Sequence, residues 1–170
     1  MKRIVGHDPN WARQYQDEAN ALCELLGSAA LRIHHMGSTS IPNIPAKPII
    51  DILLEATSLN ALDESTSNLV TMGYEVRGEY GISGRRYFKK NSIAQIPAFH
   101  LHCYEASSYE IKRHLAFRDY LRCKPDIAQQ YADIKIKLSD ENGRLAPEYQ
   151  IEKKPFVDGI ALEALLYFGT

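Results

Sequence analysis

The stretch from Arg32 to Glu55, RIHHMGSTSIPNIPAKPIIDILLE, contains two hydrophobic segments separated by a turn of small residues and a proline-rich connection. It predicts a short strand over 31–36, the turn Gly37-Ser38-Thr39-Ser40 and a second strand over 48–54. The second strand is a run of Ile and Leu residues with one acid, Asp51, and such a run bounded by turn signals is typical of a buried strand. Because a buried carboxylate is costly without a cation, a donor or water, Asp51 strongly constrains the fold.

A small-residue turn followed by an acid on the next strand suggests a site for phosphate and metal. Gly37 lets the backbone approach an anion closely, and Ser38 and Thr39 add hydroxyl donors. Lys47, in the connection before Asp51, could neutralise phosphate charge. The alternative interpretations are a capping turn, a solvated lysine, and an ion pair between the acid and Arg32, Arg85 or Arg86.

The bulk composition is that of an ordinary globular protein. A chain of 170 residues predicts one domain over 1–170, and a net charge of −1 provides no global electrostatic case for nucleic acid as a partner. The cysteines Cys23, Cys103 and Cys123 lack CxxC spacing and lie in apolar patterns, which predicts reduced, buried thiols. No apolar run has the length of a membrane span and no signal-type segment follows Met1, so we expect a cytoplasmic protein without a membrane partner.

Hydrophobic periodicity predicts an α+β fold, in which a mixed sheet is flanked by helices and the carboxy-terminal part is helical. The expected strands after the central stretch are 74–79, 85–90 and 99–105. The expected helices are 10–26, 58–72, 108–122, 125–139 and 147–167, the last interrupted at Pro155.

Two histidines alternate along the predicted strand 99–105. His100 and His102 are expected on one face, where they could approach Asp51 and bind a divalent metal with it. A set of one Asp and two His favours manganese or zinc over magnesium, which prefers oxygen ligands. His35 could join this set, whereas His34 is expected on the opposite face. The alternative is that these histidines are hydrogen-bonded core residues.

Five motifs in this order resemble the GrpB family: HMGSTSIP at 35–42, AKPIIDI at 46–52, GEYG and GRRYF in the segment 78–88, HLH at 100–102, and FRDYLR at 117–122. The resemblance extends from about residue 6 to 160. It implies the nucleotidyltransferase fold typified by DNA polymerase beta. It also implies that Gly37, Ser38, Thr39 and Lys47 contact phosphate and that Arg85 and Arg86 balance its charge.

In active nucleotidyltransferases, a strand carries two acids at positions i and i+2, and both bind metal. Here Asp51 has the first position but Leu53 has the second, and Glu55 lies roughly 13 Å further along the strand. The resemblance therefore implies a divergent site in which Asp51 and His102 are the catalytic candidates and one divalent ion (Mg, Mn or Zn) is bound. Whether the protein is an enzyme stays open at this point.

Three functions are compatible with these residues. The first is a divergent nucleotidyltransferase that acts on a nucleotide or another phosphorylated small molecule, and family fusions to dephospho-CoA kinase suggest a link to coenzyme A metabolism. The second is a non-catalytic binding module that kept the fold but lost the two-metal site, which Leu53 favours. The third is a metal-dependent hydrolase using His100 and His102. A basic stripe of His114, Arg118 and Arg122 could form an anion-binding wall or a solvated face.

Overall fold

The structure is a computed structural model that describes residues 3–140, 145 and 147–169. Within these residues, five strands form one mixed sheet: β1 (Ala30–Met36), β2 (Ile49–Ala56), β3 (Glu75–Val76), β4 (Arg86–Lys90) and β5 (Ala98–Glu105). The α-helices of the same residues are α1 (Asn10–Leu26), α2 (Leu59–Glu64), α3 (Thr66–Thr71), α4 (Tyr109–Cys123), α5 (Pro125–Lys137) and α6 (Tyr149–Phe168). The predicted α+β class is confirmed.

The strands lie in the order β1-β2-β5-β4-β3, with β2 and β5 parallel and the other neighbours antiparallel. In this register Asp51 is opposite Met36 on one side and His100 on the other. Because side chains alternate between faces along each strand, Asp51, His100 and His102 share one face of the sheet.

The opposite face of the sheet is the main hydrophobic core. It packs beneath α1, α2 and α3, and its centre is completely buried. The strand residues of this core come from alternating positions: Ile50, Ile52, Leu54, Phe88, Phe99, Leu101 and Cys103. This alternation explains why the hydrophobic pattern of β2 continues on both sides of Asp51.

The face that carries Asp51 is covered at one end only. There Leu53 and Tyr104 pack with Met36 and with Ile111 of α4 in a separate apolar cluster. Beyond this cluster the same face carries mostly polar side chains, among them Asp51, His100 and Lys89, which line a cavity. The position of α4 therefore separates an apolar, structural half of the face from a polar half that is accessible to a ligand.

The predicted helix over 58–72 is wrong as a single element, because it is divided into α2 and α3 at Ser65. The Ser65 hydroxyl donates to the Ala61 carbonyl at 3.2 Å, a local hydrogen bond that competes with helix propagation. The predicted strand over 74–79 is shortened to Glu75–Val76, since Gly78 has a φ of +59° and leaves the extended conformation.

Two further sequence expectations differ from the structure. Pro155 lies inside α6 without ending it, and the later residues Ala164 and Leu165 stabilise the helix by packing against Ala116 of α4. Cys103 is buried as expected, but Cys23 and Cys123 are exposed. In the case of α1, Cys23 directly follows the buried Leu22, so helical rotation turns it away from the core. No helix among the described residues is long and apolar enough to cross a membrane.

Candidate functional site

The open half of the sheet brings Asp51 together with two histidines. The Asp51 Oδ1 atom lies 3.4 Å from His102 Nε2 and 3.6 Å from His100 Nδ1. One potential ligand atom from each residue lies within 4.8 Å of the other two. The parallel pairing of β2 with β5 produces this convergence, because it aligns the third residues of both strands.

The geometry of this cluster fits a divalent metal ion better than a hydrogen-bonded ion pair. Both ring nitrogens of His102 are buried and have no hydrogen-bond partner within the part of the chain that the structure describes. The 3.4 and 3.6 Å separations exceed the usual N–H···O range of about 2.7–3.2 Å. Two ligands of one tetrahedral first-row ion are roughly 3.3–3.5 Å apart, given their distances from the metal. The donor set of one carboxylate and two imidazoles matches zinc or manganese.

Asp51 is held in its ionised form. Burial alone would raise its pKa, but the close polar and charge interactions of His100 and His102, at 3.6 and 3.4 Å, hold the pKa of this carboxyl well below its usual range. The side chain retains 29% of its exposure, so it remains accessible from the open face. A carboxylate in this state is competent as a metal ligand without prior loss of a proton.

The turn after β1 places its backbone directly against Asp51. Gly37 has a φ of +70°, and a Cβ at this position would overlap Asp51 Oδ2 and lie 3.0 Å from Asp51 Cβ. Only glycine combines this conformation with this close approach. Ser40 closes the turn, because its hydroxyl donates to the Gly37 carbonyl at 2.7 Å. The predicted phosphate-contacting residues Ser38 and Thr39 line the adjacent cavity.

Two arginines of the predicted basic stripe hold this turn by donating hydrogen bonds to its flanking backbone carbonyls. Arg118 Nη1 donates to the His35 carbonyl at 3.0 Å. Arg122 Nε and Nη2 both donate to the Ser40 carbonyl, at 3.0 and 2.9 Å. These arginines therefore position the turn, whereas His114 of the same stripe lines the cavity. Burial, followed by the proximity of His102 and Arg113, lowers the pKa of His114 to about 4.

A cavity of about 570 Å³ lies over Asp51 and the two histidines. Its charged lining is dominated by lysines, which face the single carboxylate of Asp51. The lining residues are Ser38, Thr39, Lys47, Ile49, Asp51, Tyr80, Tyr87, Lys89, His100, His102, His114, Lys135, Tyr149, Gln150 and Lys153. A cavity with four lysines and one acid attracts anions strongly.

Of these lysines, sequence reasoning predicted Lys47 and missed Lys89, Lys135 and Lys153. Lys135 of α5 is 1% exposed, its ammonium donates to the Pro45 carbonyl at 2.8 Å, and it lies 4.1 Å from the centroid of Tyr131. Burial, followed by the charges of Lys153 and Lys47, lowers its pKa to about 7. The available signal was its position one helical turn after Tyr131, on the apolar stripe of α5.

Sequence reasoning did not single out Tyr149 either, although it lines the cavity. Its ring lies 4.7 Å from Lys47 Nζ and 5.0 Å from Lys153 Nζ. The aromatic ring thus holds two ammonium groups at the same end of the cavity through cation–π contacts. Lys47, predicted from the loop before Asp51, does line the cavity.

Two predicted site residues, Arg85 and Arg86, make their contacts outside the cavity. Arg86 lies on the opposite face of the sheet and pairs with Asp63 through two hydrogen bonds of 2.7 and 2.8 Å. Arg85 is 6% exposed and donates to the carbonyls of Glu79 and Tyr80, so it supports the hairpin loop. Neither arginine is among the residues that line the cavity.

The expected orientations of the two adjacent histidines on β1 are wrong. His34 is on the face of Asp51 and lies 2.7 Å from Glu55 Oε1. His35 is on the core side, where its ring stacks on Tyr15 at 4.7 Å and its Nε2 lies 3.0 Å from the Thr39 hydroxyl. His35 therefore supports the turn and does not join the cluster at Asp51.

The position of a second carboxylate is filled by a buried leucine. Leu53 is completely inaccessible and packs with Met36 and Tyr104. Glu55, the next acid on this face, is engaged by Arg32 at 3.3 Å and by His34. The two-acid arrangement of active nucleotidyltransferases is thus replaced by one acid and the histidine pair of β5.

A second, smaller cavity of about 190 Å³ lies on the other side of Asp51 and His102. Its far wall is apolar and comes from Phe117 of α4 and Val157 of α6. His114 lines both cavities. The cluster at Asp51 therefore borders two cavities, which share Asp51, His102, His114 and Lys153, and the smaller one has more hydrophobic side chains.

Solved structures identify the class of this fold. The chain superimposes on Cid1, solved in complex with its short product ApU, with a TM-score of 0.58 over 96% of this chain and 50% of that chain. The identity is 14%, so the likeness concerns the fold alone. The protein has a nucleotidyltransferase-like fold.

Closer relatives identify the family. The profile of the GrpB protein family matches residues 2–162, and the chain therefore belongs to the GrpB family. The crystal structure of the conserved protein GrpB from Enterococcus faecalis matches with a TM-score of 0.89 and 38% identity, over 98% of this chain and 99% of that one. The Glutamate-rich protein GrpB of Alkalihalophilus pseudofirmus is 33% identical over 94% of each chain.

Some relatives are much longer than this chain. UPF0157 protein YqkA of Bacillus subtilis is 42% identical over 82% of this chain, but the match spans only 40% of YqkA. A dephospho-CoA kinase of Mycolicibacterium paratuberculosis is 43% identical over 75 residues, which are 42% of this chain and 18% of the kinase.

Proposed function

We propose that this protein binds a nucleotide or another phosphorylated small molecule in the large cavity, together with one divalent metal ion at Asp51, His100 and His102. The observation that carries the proposal is the His102 ring, whose two buried nitrogens lack hydrogen-bond partners while Nε2 lies 3.4 Å from the Asp51 carboxylate. Such a ring is costly to bury unless it binds something.

Lysines at one end of the cavity provide a binding surface for phosphate. Lys47, Lys135 and Lys153 lie at one end of the cavity, beside Ser38 and Thr39 of the turn. Ammonium groups and hydroxyls are suited to phosphate oxygens, and the local excess of positive charge favours a ligand with more than one negative charge. When bound, a metal ion would neutralise phosphate charge and polarise a phosphoryl oxygen.

The reaction that this fold supports is metal-dependent nucleotidyl transfer. An acceptor hydroxyl attacks the α-phosphorus of a nucleoside triphosphate, its proton passes to a base, and pyrophosphate leaves. Asp51 lies on the acceptor side as well as the donor side, because it lines both cavities, and its ionised carboxylate would orient the acceptor hydroxyl. The smaller cavity, with its apolar wall, would accommodate the acceptor.

A second candidate function is a binding module without catalysis. The buried Leu53 favours it, because the second metal-binding acid of active nucleotidyltransferases is missing. Both candidates require the same ligand site, so a product assay must distinguish them. Pyrophosphate released from ATP indicates transfer, free phosphate indicates hydrolysis, and binding without either product supports the module.

The binding test is a thermal-shift matrix of Mn²⁺, Zn²⁺ and Mg²⁺ against ATP, inorganic tripolyphosphate and dephospho-CoA. Dephospho-CoA is included because the chain resembles part of a dephospho-CoA kinase. A ligand at about 100 times its Kd should stabilise the fold by about 2.7 kcal/mol. Asp51→Asn should abolish the metal-dependent shift, whereas Asp63→Asn, which changes a carboxylate outside the cavity, should preserve it. An unchanged shift in Asp51→Asn, or none in the wild type, would contradict the metal site.

A further inference from the structure

The loop between β3 and β4 carries an exposed tyrosine at the rim of the large cavity. Tyr80 is 60% exposed, yet it lines the cavity, and its ring lies 5.3 Å from that of Tyr87. Its φ of +45° is in the left-handed region, where a bulky side chain is rare and often marks a functional position. Exposure alone does not indicate a function for Tyr80, because single exposed aromatic residues are common on protein surfaces. The contacts that hold its loop are therefore the relevant evidence.

A buried arginine holds the loop in this conformation. Arg85 is 6% exposed, and its guanidinium donates to the Glu79 carbonyl at 3.1 Å and to the Tyr80 carbonyl at 2.8 Å. It also lies 4.8 Å from the centroid of Tyr87. The Glu79 carboxylate closes the loop by accepting from the Gly84 amide at 2.7 Å. The Tyr80 backbone is thus fixed by charged groups, which presents its ring at a defined place.

A row of rings connects Tyr80 to the candidate metal site. The Tyr87 ring lies 4.8 Å from the ring of His102 and 5.7 Å from that of His100. Lys89 Nζ lies 5.3 Å from the centroid of Tyr80 and 5.5 Å from that of Tyr87, so the ammonium sits beside both rings. The row therefore leads from the rim of the cavity to the histidines at its floor.

Because of the strand order, the aromatic rings of Tyr80 and Tyr87 lie at the end of the cavity opposite Lys47, Lys135 and Lys153. Tyr87 and Lys89 belong to β4, and Asp51 belongs to β2 on the far side of β5. The other three lysines, Lys47, Lys135 and Lys153, belong to the connection before β2 and to α5 and α6, and the Ser38-Thr39 turn follows β1. An elongated ligand that crosses the sheet would meet an aromatic surface at one end, Asp51 in the middle and ammonium groups at the other end.

We infer that Tyr80 is the stacking platform for a nucleobase, which makes the ligand a nucleotide rather than a phosphorylated sugar or an inorganic polyphosphate. The inference rests on the proposed function and specifies its substrate class. The base stacks at the rim, and the phosphates extend past Asp51 toward Ser38, Thr39 and the lysines. Stacking tolerates any base because every base has a π-face, so the platform selects nucleotides as a class.

The test compares two probes, ATP and inorganic tripolyphosphate, by calorimetry in the presence of Mn²⁺. Tyr80→Ala should raise the Kd of ATP roughly 5- to 150-fold, the range for loss of one base–aromatic stack, and should leave the Kd of tripolyphosphate unchanged. Tyr80→Phe should retain ATP binding because it retains the ring. Tyr109→Ala is the matched control, since Tyr109 is also 60% exposed but does not line the cavity.

The outcomes separate this inference from the proposed function. Equal weakening of both probes by Tyr80→Ala, or no weakening of ATP, would overturn the stacking role while leaving the phosphate site in place. Equal affinity of the wild type for ATP and tripolyphosphate would do the same. Failure of the wild type to bind either probe would overturn both the proposed function and the inference. An unchanged Tm of Tyr80→Ala would establish that any loss of binding is not a loss of folding.

Discussion

His102 Nε2 lies 3.4 Å from Asp51 Oδ1, while both nitrogens of this imidazole are buried without a hydrogen-bond partner. The neighbouring His34 provides a contrast on the same face, because its Nε2 lies 2.7 Å from the buried carboxylate of Glu55. One histidine therefore has a carboxylate partner within the protein, whereas the ring nitrogens of the other have no hydrogen-bond partner among the described residues.

This contrast leads to different expectations for the same substitution. In metal-free protein, His102→Leu removes unpaired buried polar atoms but also a favourable charge interaction with Asp51, so it should change the free energy of unfolding by less than about 1 kcal/mol. His34→Leu should decrease it by about 1–3 kcal/mol, because it leaves the buried Glu55 without a hydrogen bond. Urea unfolding in the presence of EDTA measures both. Loss of stability in His102→Leu to the same extent as in His34→Leu would contradict the unsatisfied site.

Gly37 determines how closely the turn approaches Asp51. Gly37→Ala should destabilise the protein by about 1–3 kcal/mol and should weaken metal binding, because the added Cβ overlaps the Asp51 carboxylate and the φ of +70° is strained. Gly159→Ala is the matched control. Gly159 lies inside α6, where a Cβ meets nothing within 4 Å, so alanine should stabilise by about 0.5–1 kcal/mol. Equal effects at both positions in urea unfolding would contradict the close approach.

The second acid of active nucleotidyltransferases cannot be restored by one substitution. Leu53→Asp should cost about 3–5 kcal/mol, because Leu53 is completely buried among Met36, Tyr104 and Ile111, where a carboxylate loses its hydration even though His102 lies opposite in the register. Leu53→Met conserves volume and polarity and should cost less than about 1.5 kcal/mol. Thermal unfolding of both variants measures the difference. A stable Leu53→Asp protein would mean that the face is more open at this point than the packing indicates.

The sequence was most informative where local pattern determines structure. The helix over 10–26 was predicted to the residue, because Gly27 and the apolar stripe containing Trp11 and Leu22 define it. The placement of Asp51 and His100 on adjoining strands also followed from alternation and from the family resemblance. These features depend on neighbouring residues alone or on motifs that occur together in the family.

The wrong predictions concern side-chain positions that depend on strand register and on contacts between residues far apart in the sequence. The prediction placed His34 and His35 on the wrong faces of the sheet. The sequence of β1 does not determine how β1 pairs with β2, and a shift of one residue in this pairing reverses the face of every side chain. Arg86 follows Arg85 directly on a strand, and only the structure assigns it to Asp63 on the other face. Lys135 is far from Asp51 in sequence, and α5 brings it to the cavity only through tertiary packing.

Lys135 should make stability depend on pH. Its folded-state pKa is about 7, below the ordinary lysine value of 10.5, so the unfolded chain binds more protons between these values. Stability must therefore rise with pH from about 7 to about 10.5 by up to a few kcal/mol, and below pH 7 the full cost of the buried charge remains. Lys135→Met removes the titration and should flatten this rise in urea unfolding at pH 7–10. An equally steep rise in the variant would contradict the assignment.

The same residue should couple ligand binding to proton uptake. At pH 8 Lys135 is largely neutral in the free protein, because burial and the charges of Lys153 and Lys47 lower its pKa to about 7. A phosphate in the cavity favours the charged ammonium, so binding must raise this pKa and take up protons. Calorimetric titration of ATP at pH 8 in buffers of different ionisation enthalpy should detect up to about one proton per ligand, reduced in Lys135→Met. Binding with equal proton uptake in wild type and variant would place the phosphates away from Lys135 and at the Asp51 end of the cavity.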